Sequence, residues 1–433
     1  MNPLAAELNT VIEGTIAERL MSTIGKRIYF PKGIIAQSAE AKKSAANANA
    51  TIGTAYSKGS PLILSAVAES MPGLNAEQAV AYAPTAGIEQ IRKAWKDQIL
   101  NKNRSLGPDN FSVPVVVPGL TSGLSCMADL FMPEEAVIIV SEPCWDNYSL
   151  IFEERRNGVC RGVPYFNGGS SGLNMDAIKK AVRAEAKKGT VRILLNFPNN
   201  PSGYSPVRAE ADALAELFLK TAEEGADVLV LCDDAYFGLF YEDDIYKESL
   251  FSMLANLHPN IMAIKIDGPI KEDFTWGLRI GFVSFGSKGL DEKHYNALVT
   301  KLMGAIRSSV SCANTPAQHI ILKSLEDQRT PAEKSQFQQI LEGRYKKVKA
   351  FINYNPGHPS LEPMPFNSGY FMAFECCGIS AEMLRRKLLT EHGIGVVALG
   401  DSCLRVAYCS LDEEKIDHVY RTIYDTAAGM RLQ

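Results

Sequence analysis

The sequence has no uninterrupted apolar run long enough to cross a membrane, which argues against a helical membrane protein. It has no basic stripe either. "AKKSAANANA" is too weak a patch to follow a nucleic-acid backbone, and the net charge is only -4. Histidine is scarce: the six residues are scattered through helix-like or loop segments, where a surface or structural role is the simple reading. The nine cysteines, an odd number, show no C-x-x-C pair and no Cys/His spacing of a metal site. Most lie in apolar settings, as at Cys126, Cys232, Cys376, Cys377 and Cys409, which fits a reducing, cytoplasmic compartment. The start, "MNPLAAELNTVIEGTIAERL", lacks the basic first residues, apolar centre and cleavage site of a secretory signal; it reads as an amphipathic helix carrying acids.

What is present is a long globular chain, 433 residues with 46% hydrophobic and 22% charged, enough for two domains. Seven short apolar runs occupy residues 56–325: "FSVPVVV", "AVIIV", "GVCRGVPY", "VRILLNF", "DVLVLC", "IMAIKI" and "LRIGFVSF". They are continuous rather than alternating, as in strands buried on both faces of a mainly parallel sheet. Helix patterns lie between them, such as "LTSGLSCMADLF", "MDAIKKAVRAEAKK" and "RAEADALAELFLKTAEE". This predicts a doubly wound α/β domain with the ligand beyond the carboxyl ends of the strands. A long helix, "TPAEKSQFQQILEGRYKKVKAFINY", opens a different pattern over 326–433, which reads as a smaller α+β domain completed by residues 1–55.

Polar residues just after the strands are therefore the candidates. "PGLTSG" opens a helix whose free N–H groups suit a phosphate, with the Thr121 hydroxyl beside them; a plain turn is the alternative. Trp145 in "SEPCWDNY" is a stacking surface or a core tryptophan. "PNNPSGYSP" is a rigid turn that fixes Asn200 before Pro201, for a ligand or for the turn alone. Asp233, at the end of "DVLVLC", is a buried acid in need of a cation; Asp234 reads as a cap or solvent-facing residue, and the Tyr236 hydroxyl can reach the same place. Lys271 in "DGPIKEDFTWGLRIGF" is a solvated loop lysine or a nucleophile. Arg405 in "CLRVAYCS" requires an anion, either a ligand carboxylate or an internal acid.

In this order, with "AYAPTAG", "GLTSG", "EPCWDNY", "NNPSGY", "DDAYFG", "K…GLRIG" and "LRVAYCS", the chain resembles the class I/II aminotransferases, pyridoxal-phosphate enzymes of fold type I, the aspartate aminotransferases among them. The resemblance covers nearly the whole chain. It implies a seven-stranded sheet and the cofactor pyridoxal 5'-phosphate. It makes Lys271 the residue that carries the cofactor and moves the α-proton, Asp233 the partner of the ring nitrogen, and Asn200 and Tyr236 the partners of the ring hydroxyl. Trp145 stacks on the ring, while Gly119, Leu120, Thr121 and Arg279 hold the phosphate, joined by Tyr82 of a neighbouring subunit in a homodimer with shared sites. Substrate contacts fall to Arg405, Asn200, Trp145, Gly33 and, for an acidic side chain, Arg307. Amino acid and 2-oxo acid substrates follow, with aspartate or glutamate as donor, 2-oxoglutarate as acceptor and ping-pong order.

One departure stands out. Gly268 and Ile270 occupy positions where the family usually has serine or threonine, so one or two hydroxyls beside the phosphate are missing. Other readings of the same residues are a transaminase for alanine or aromatic amino acids, a lyase using the same cofactor, a cofactor-binding sensor, and an α/β protein with a structural Lys271. No winged-helix-sized segment precedes the strand pattern, which speaks against the sensor.

Overall fold

The structure is a computed structural model that describes residues 1–3, 6, 7, 10, 34–51, 53–70, 73–166 and 172–431. Most of the N-terminal helix candidate lies outside the described residues, and so does Gly33.

Seven strands form the central sheet: β4 (Val115–Val117), β5 (Val137–Glu142), β6 (Val159–Pro164), β7 (Thr190–Asn196), β8 (Asp227–Asp233), β9 (Ile261–Asp267) and β10 (Gly281–Gly286). Their spatial order is β4-β10-β9-β8-β7-β5-β6. Strand β10 runs antiparallel to both its neighbours, and the pairs from β9 through to β6 are parallel. Most of the apolar runs are continuous because helices cover both faces: β4 and β10 are buried along their whole length. Strand β6 departs from the expectation: it is the edge of the sheet, and of its residues only Val163 is buried.

Along the chain the helices are α1 (Ile34–Ser44), α2 (Ser65–Ser70), α3 (Ala76–Val80), α4 (Glu89–Lys102), α5 (Leu120–Phe131), α6 (Met175–Ala186), α7 (Arg208–Glu223) and α8 (Leu250–Leu254). They continue as α9 (Glu292–Ser309), α10 (Thr315–Glu326), the 25-residue α11 (Thr330–Tyr354), α12 (Ala381–His392) and α13 (Ile416–Arg431). The strands β5 to β9 run in one direction, so their carboxyl ends share one edge of the sheet. The carboxyl ends of β7, β8 and β9 therefore deliver Asn196, Asp233 and Asp267 to one rim.

A second, antiparallel sheet has the order β11 (Leu361–Pro363), β12 (Met372–Cys376), β15 (Cys403–Val406), β14 (Val397–Leu399). Helices α12 and α13 and the later turns of α11 enclose its own apolar core, which includes Leu384, Leu388, Val419 and Ile423. The early chain joins this unit: β1 (Ala48–Asn49) pairs in parallel with β13 (Ile394–Gly395), and α1 packs on β13 and β14. Strands β2 (Tyr56–Ser57) and β3 (Ser60–Pro61) make a short hairpin. None of the described helices is long and apolar enough to cross a membrane.

Candidate active site

A cavity of about 290 Å³ opens where the rim of the large sheet meets the smaller sheet. Leu120, Thr121, Trp145, Asn200, Asp233, Tyr236, Lys271, Arg279 and Arg405 all line it. They come from residues up to 285 positions apart, and the parallel topology gathers them.

Asp233 ends β8 and is 3% exposed. Its Oδ2 accepts a hydrogen bond from the Tyr148 hydroxyl at 2.6 Å, and its Oδ1 is buried with no partner. Burial pushes the carboxyl up to about 6; the Tyr148 bond pulls it down and nearby Asp234 raises it. A carboxylate oxygen left in that condition requires a cation, and a protonated ring nitrogen supplies one. Asn196 ties the rim together: its amide donates to the Asp233 carbonyl at 2.8 Å, and its oxygen accepts from the Asn200 N–H at 2.8 Å.

Lys271 is half-buried. Its Nζ donates to the Gly53 carbonyl at 3.2 Å and lies 5.2 Å from the centre of the Tyr236 ring. Burial brings the amine down to about 8, and the guanidinium groups of Arg405 and Arg279 push the same way. The Tyr370 hydroxyl donates to the Lys271 carbonyl at 2.7 Å, fixing the turn. This is not a solvated loop lysine.

One end of the cavity is made by the first turn of α5 and by Arg279. Gly119 precedes that helix at φ +82, and a Cβ there would come within 2.5 Å of Arg279 Nη2. Glycine is required both by the backbone and by the guanidinium beside it. Gly281 is equally confined: its Cβ would meet Gly119 C at 2.9 Å and Leu120 N at 3.0 Å. Gly268 is confined as well, with Ile280 O at 2.9 Å and Leu120 Cδ1 at 3.1 Å from a Cβ. No hydroxyl-bearing side chain fits at 268 without a shift, and the Ile270 side chain is apolar. The cradle thus relies on the helix N–H groups, Thr121 and Arg279.

Arg405 stands on β15, 2% exposed, 4.2 Å from the centre of the Phe371 ring. Its Nη1 donates to Asn200 Oδ1 at 3.0 Å and its Nη2 to the Thr51 carbonyl at 3.1 Å, while Nε is buried without a partner. Its two bonded partners are thus an amide oxygen and a backbone carbonyl, and the Asp146 carboxylate acts on it only as an electrostatic neighbour.

Gly119 stands behind the cavity wall, against Arg279, and two other expected site residues lie on the surface. Tyr82 is 91% exposed, and Arg307 is exposed at the end of α9. Asp234 requires a correction: it is not a cap or a solvent-facing residue. It is 6% exposed, ion-paired with Lys265, and accepts from the Ser249 hydroxyl at 2.6 Å. The expectation failed because an acid after a strand looks the same in sequence whether it meets water or a buried lysine from the next strand. Tyr148, Asn196, Gly53 and Phe371 also line the cavity and were not singled out. Tyr148 lay within the quoted "EPCWDNY", three residues after Trp145, and that spacing was the available signal.

The residues fit pyridoxal 5'-phosphate: an amine of lowered basicity, an orphaned carboxylate oxygen, and a helix N-terminus with an arginine, around one cavity. Comparison with known proteins agrees. The family model for aminotransferase class I and II matches residues 53–423. The arginine–pyruvate transaminase of Pseudomonas aeruginosa is 24% identical over 76% of this chain and 82% of its own. An aspartate aminotransferase of a Bacillus species is 22% identical over 79% of this chain and 83% of its own. The crystal structure of an aminotransferase from Anaerococcus prevotii has a TM-score of 0.82 at 22% identity, covering 93% of this chain and 98% of that one. The chain, with its fold type I architecture and the residues that this cofactor needs, belongs to the class I and II aminotransferases and is a pyridoxal-phosphate-dependent transaminase.

Proposed function

We propose that this transaminase takes aspartate or glutamate as its preferred donor and passes the amino group to a 2-oxo acid such as 2-oxoglutarate, in ping-pong order. The observation that carries the reading is the state of Arg405: a buried guanidinium whose Nε is unpartnered and whose Nη groups donate to an amide oxygen and a backbone carbonyl, the receptor for an α-carboxylate. An amino acid and the 2-oxo acid made from it share that carboxylate, so one arginine serves both half-reactions.

When bound, pyridoxal 5'-phosphate supplies an electron-poor ring that takes up the electron pair left by the departing α-proton. Lys271 carries the cofactor and, once free, holds the α-proton on Nζ; a value of about 8 leaves it basic enough to take a proton and acidic enough to return it. Asp233, with Oδ2 held by Tyr148 and Oδ1 unpartnered, would keep the ring nitrogen protonated. Asn200 and Tyr236 would bond the ring hydroxyl, Trp145 would stack on the ring, and Arg279 with Gly119, Leu120 and Thr121 would hold the phosphate. Arg405 and Asn200 orient the substrate.

In this division of labour every cation in the cavity has an anion already, so an acidic side chain needs one more. Arg307 of the partner subunit is the candidate. The exposed face that carries Arg307, Tyr82 (91% exposed), Val80 (83%) and Val310 (49%) supports a homodimer. The hydrogen bond from the Thr315 hydroxyl to the Ala81 carbonyl at 2.7 Å ties its parts together. The same reading divides the chain at about residues 55 and 325, with the site between the large and small domains. The nine free cysteines support a cytoplasmic setting.

A second reading has a specific observation behind it. Trp145, Trp276 and Phe371 wall the cavity, and an aromatic side chain would pack on them. A panel of amino donors with 2-oxoglutarate decides: aspartate or glutamate should show the highest kcat/KM, and a clear win for phenylalanine, tyrosine or alanine overturns the acidic reading.

A further inference from the structure

Asp233 and Lys271 are each followed in the chain by a buried carboxylate, and the two carboxylates belong to one continuous path of buried and half-buried contacts. It begins at Asp234, held by Lys265, which is fully buried on β9 and lies 3.4 Å from Asp267 Oδ2 as well. The other oxygen of Asp267 accepts from the Trp95 indole N–H at 3.0 Å. The Lys102 ammonium stands 5.5 Å from the centre of the Trp95 ring and pairs with Glu272 at 2.5 Å. Glu272 also faces Lys334 of α11 at 3.4 Å, and Lys334 pairs with Asp273. The path thus leaves β8 beside Asp233, crosses β9, α4 and α11, and returns to the turn beside Lys271.

We infer that this path is the positioning device of the site, fixing Asp233 and Lys271 relative to one another. The inference rests on the reading that Lys271 carries the cofactor and Asp233 faces its ring nitrogen. Buried ion pairs are costly to desolvate and are poor sources of stability compared with apolar packing, so their geometric precision is the more natural use. Four separate elements are tied at the two positions where placement decides rate. Backbone space is reserved for the path: a Cβ on Gly238, two residues after Tyr236, would come within 2.6 Å of Glu272 Oε1. The turn has little freedom elsewhere, since Gly268 is enclosed and the Tyr370 hydroxyl holds the Lys271 carbonyl. None of the path's members lines the cavity, so they act through Asp233 and Lys271 and not on the substrate.

The test uses the cofactor-loaded enzyme with Glu272→Gln, Lys265→Met, Lys334→Met and Lys334→Arg. Misplacing a reacting group by about 1 Å costs up to roughly a hundredfold in rate. Glu272→Gln and Lys334→Met should therefore lower kcat about ten- to a hundredfold, with the donor KM changed by less than about threefold. The pH midpoint of the cofactor's visible absorption should move by about half a unit or more in both, because the surroundings of the amine and ring have shifted. Lys334→Arg, which keeps the cation on Asp273, should restore the wild-type spectrum. If folded Glu272→Gln and Lys334→Met proteins keep wild-type kcat and spectrum and merely melt at lower temperature, the path is structural and the inference is wrong. Should Lys265→Met fail to fold, those two variants still decide. Borohydride reduction and peptide mapping of the wild type separate the two levels: a label away from Lys271 overturns the site reading, whereas a label on Lys271 with unaffected variants overturns only the positioning path.

Discussion

The Tyr148 hydroxyl donates to Oδ2 of Asp233 at 2.6 Å and leaves Oδ1 of the same carboxylate buried and unpartnered. One oxygen is thereby held by the protein and the other kept for a ligand. Tyr148→Phe removes the contact that does most to hold the Asp233 carboxyl down against burial. A hydrogen bond to a charged group contributes about 1.5–3 kcal/mol, so kcat should fall roughly ten- to a hundredfold. Cofactor affinity, read from the visible absorption, should weaken as well. Unchanged kinetics and affinity would mean that the bond only fills space.

Asp233 also links function to stability. Its folded value, about 6, lies above the ordinary carboxylate value. Its contribution to stability is therefore complete below the unfolded value near 3.9 and is lost as pH rises through about 6. In the cofactor-free protein at pH 7.5 the ionised carboxylate costs about 3 kcal/mol, and Asp233→Asn removes that cost. The variant should unfold at higher urea than the wild type at pH 7.5, with the advantage shrinking toward pH 4. It should nevertheless be nearly inactive, because an amide offers the ring nitrogen no charge. A variant that is less stable at every pH would show that the carboxylate is not strained by burial.

Lys271 gives a chemical signature of its own. With its amine near 8, acylation of the cofactor-free protein at this residue should rise with pH around that value, well below the range of about 10.4 for surface lysines. Peptide mapping after brief acylation across pH 6.5–10.5 reads this. Replacing Arg405 by leucine removes a neighbouring cation and should move the midpoint upward. A midpoint near that of the surface lysines would return Lys271 to the class of solvated loop residues.

The sheet was legible because burial on both faces demands continuous apolar runs, and the inner strands could be read directly; β6, at the edge and largely unburied, was found by its β-branched residues and spacing rather than by its burial. The rim was legible because a polar residue after an apolar run has few reasons to be there; Asp233, Asn200 and Lys271 meet in the structure for that reason. The wiring behind them was not. Lys102, Lys265 and Lys334 are 69 or more residues apart and look like any other lysines until β9, α4 and α11 bring them to one layer. Gly53, whose carbonyl receives the Lys271 amine, is a loop glycine with no side chain to announce it. Tyr82 and Arg307 were read from resemblance, and a single chain leaves both on its surface.

Arg307 permits the sharpest test of the proposed substrate, because it should act across a subunit boundary. Loss of a forked, charge-assisted contact costs about 1.5–3 kcal/mol, so Arg307→Ala should reduce kcat/KM for aspartate roughly ten- to a hundredfold. Alanine as donor should be little affected. A mixed dimer distinguishes the partner's site from the chain's own. Lys271→Ala alone is inactive, and Arg307→Ala alone is poor with aspartate. When the two are unfolded together and refolded, the mixed dimer contains one site with Lys271 from one subunit and Arg307 from the other, both intact. Aspartate activity should then reappear in the mixed species, up to one wild-type site per dimer. If Arg307 worked in its own subunit's site or faced water, the mixed dimer would show only the poor activity of the Arg307→Ala chain. That outcome, together with an unchanged donor ranking in Arg307→Ala, would remove the acidic donor and leave the aromatic walls of Trp145, Trp276 and Phe371 as the guide to specificity.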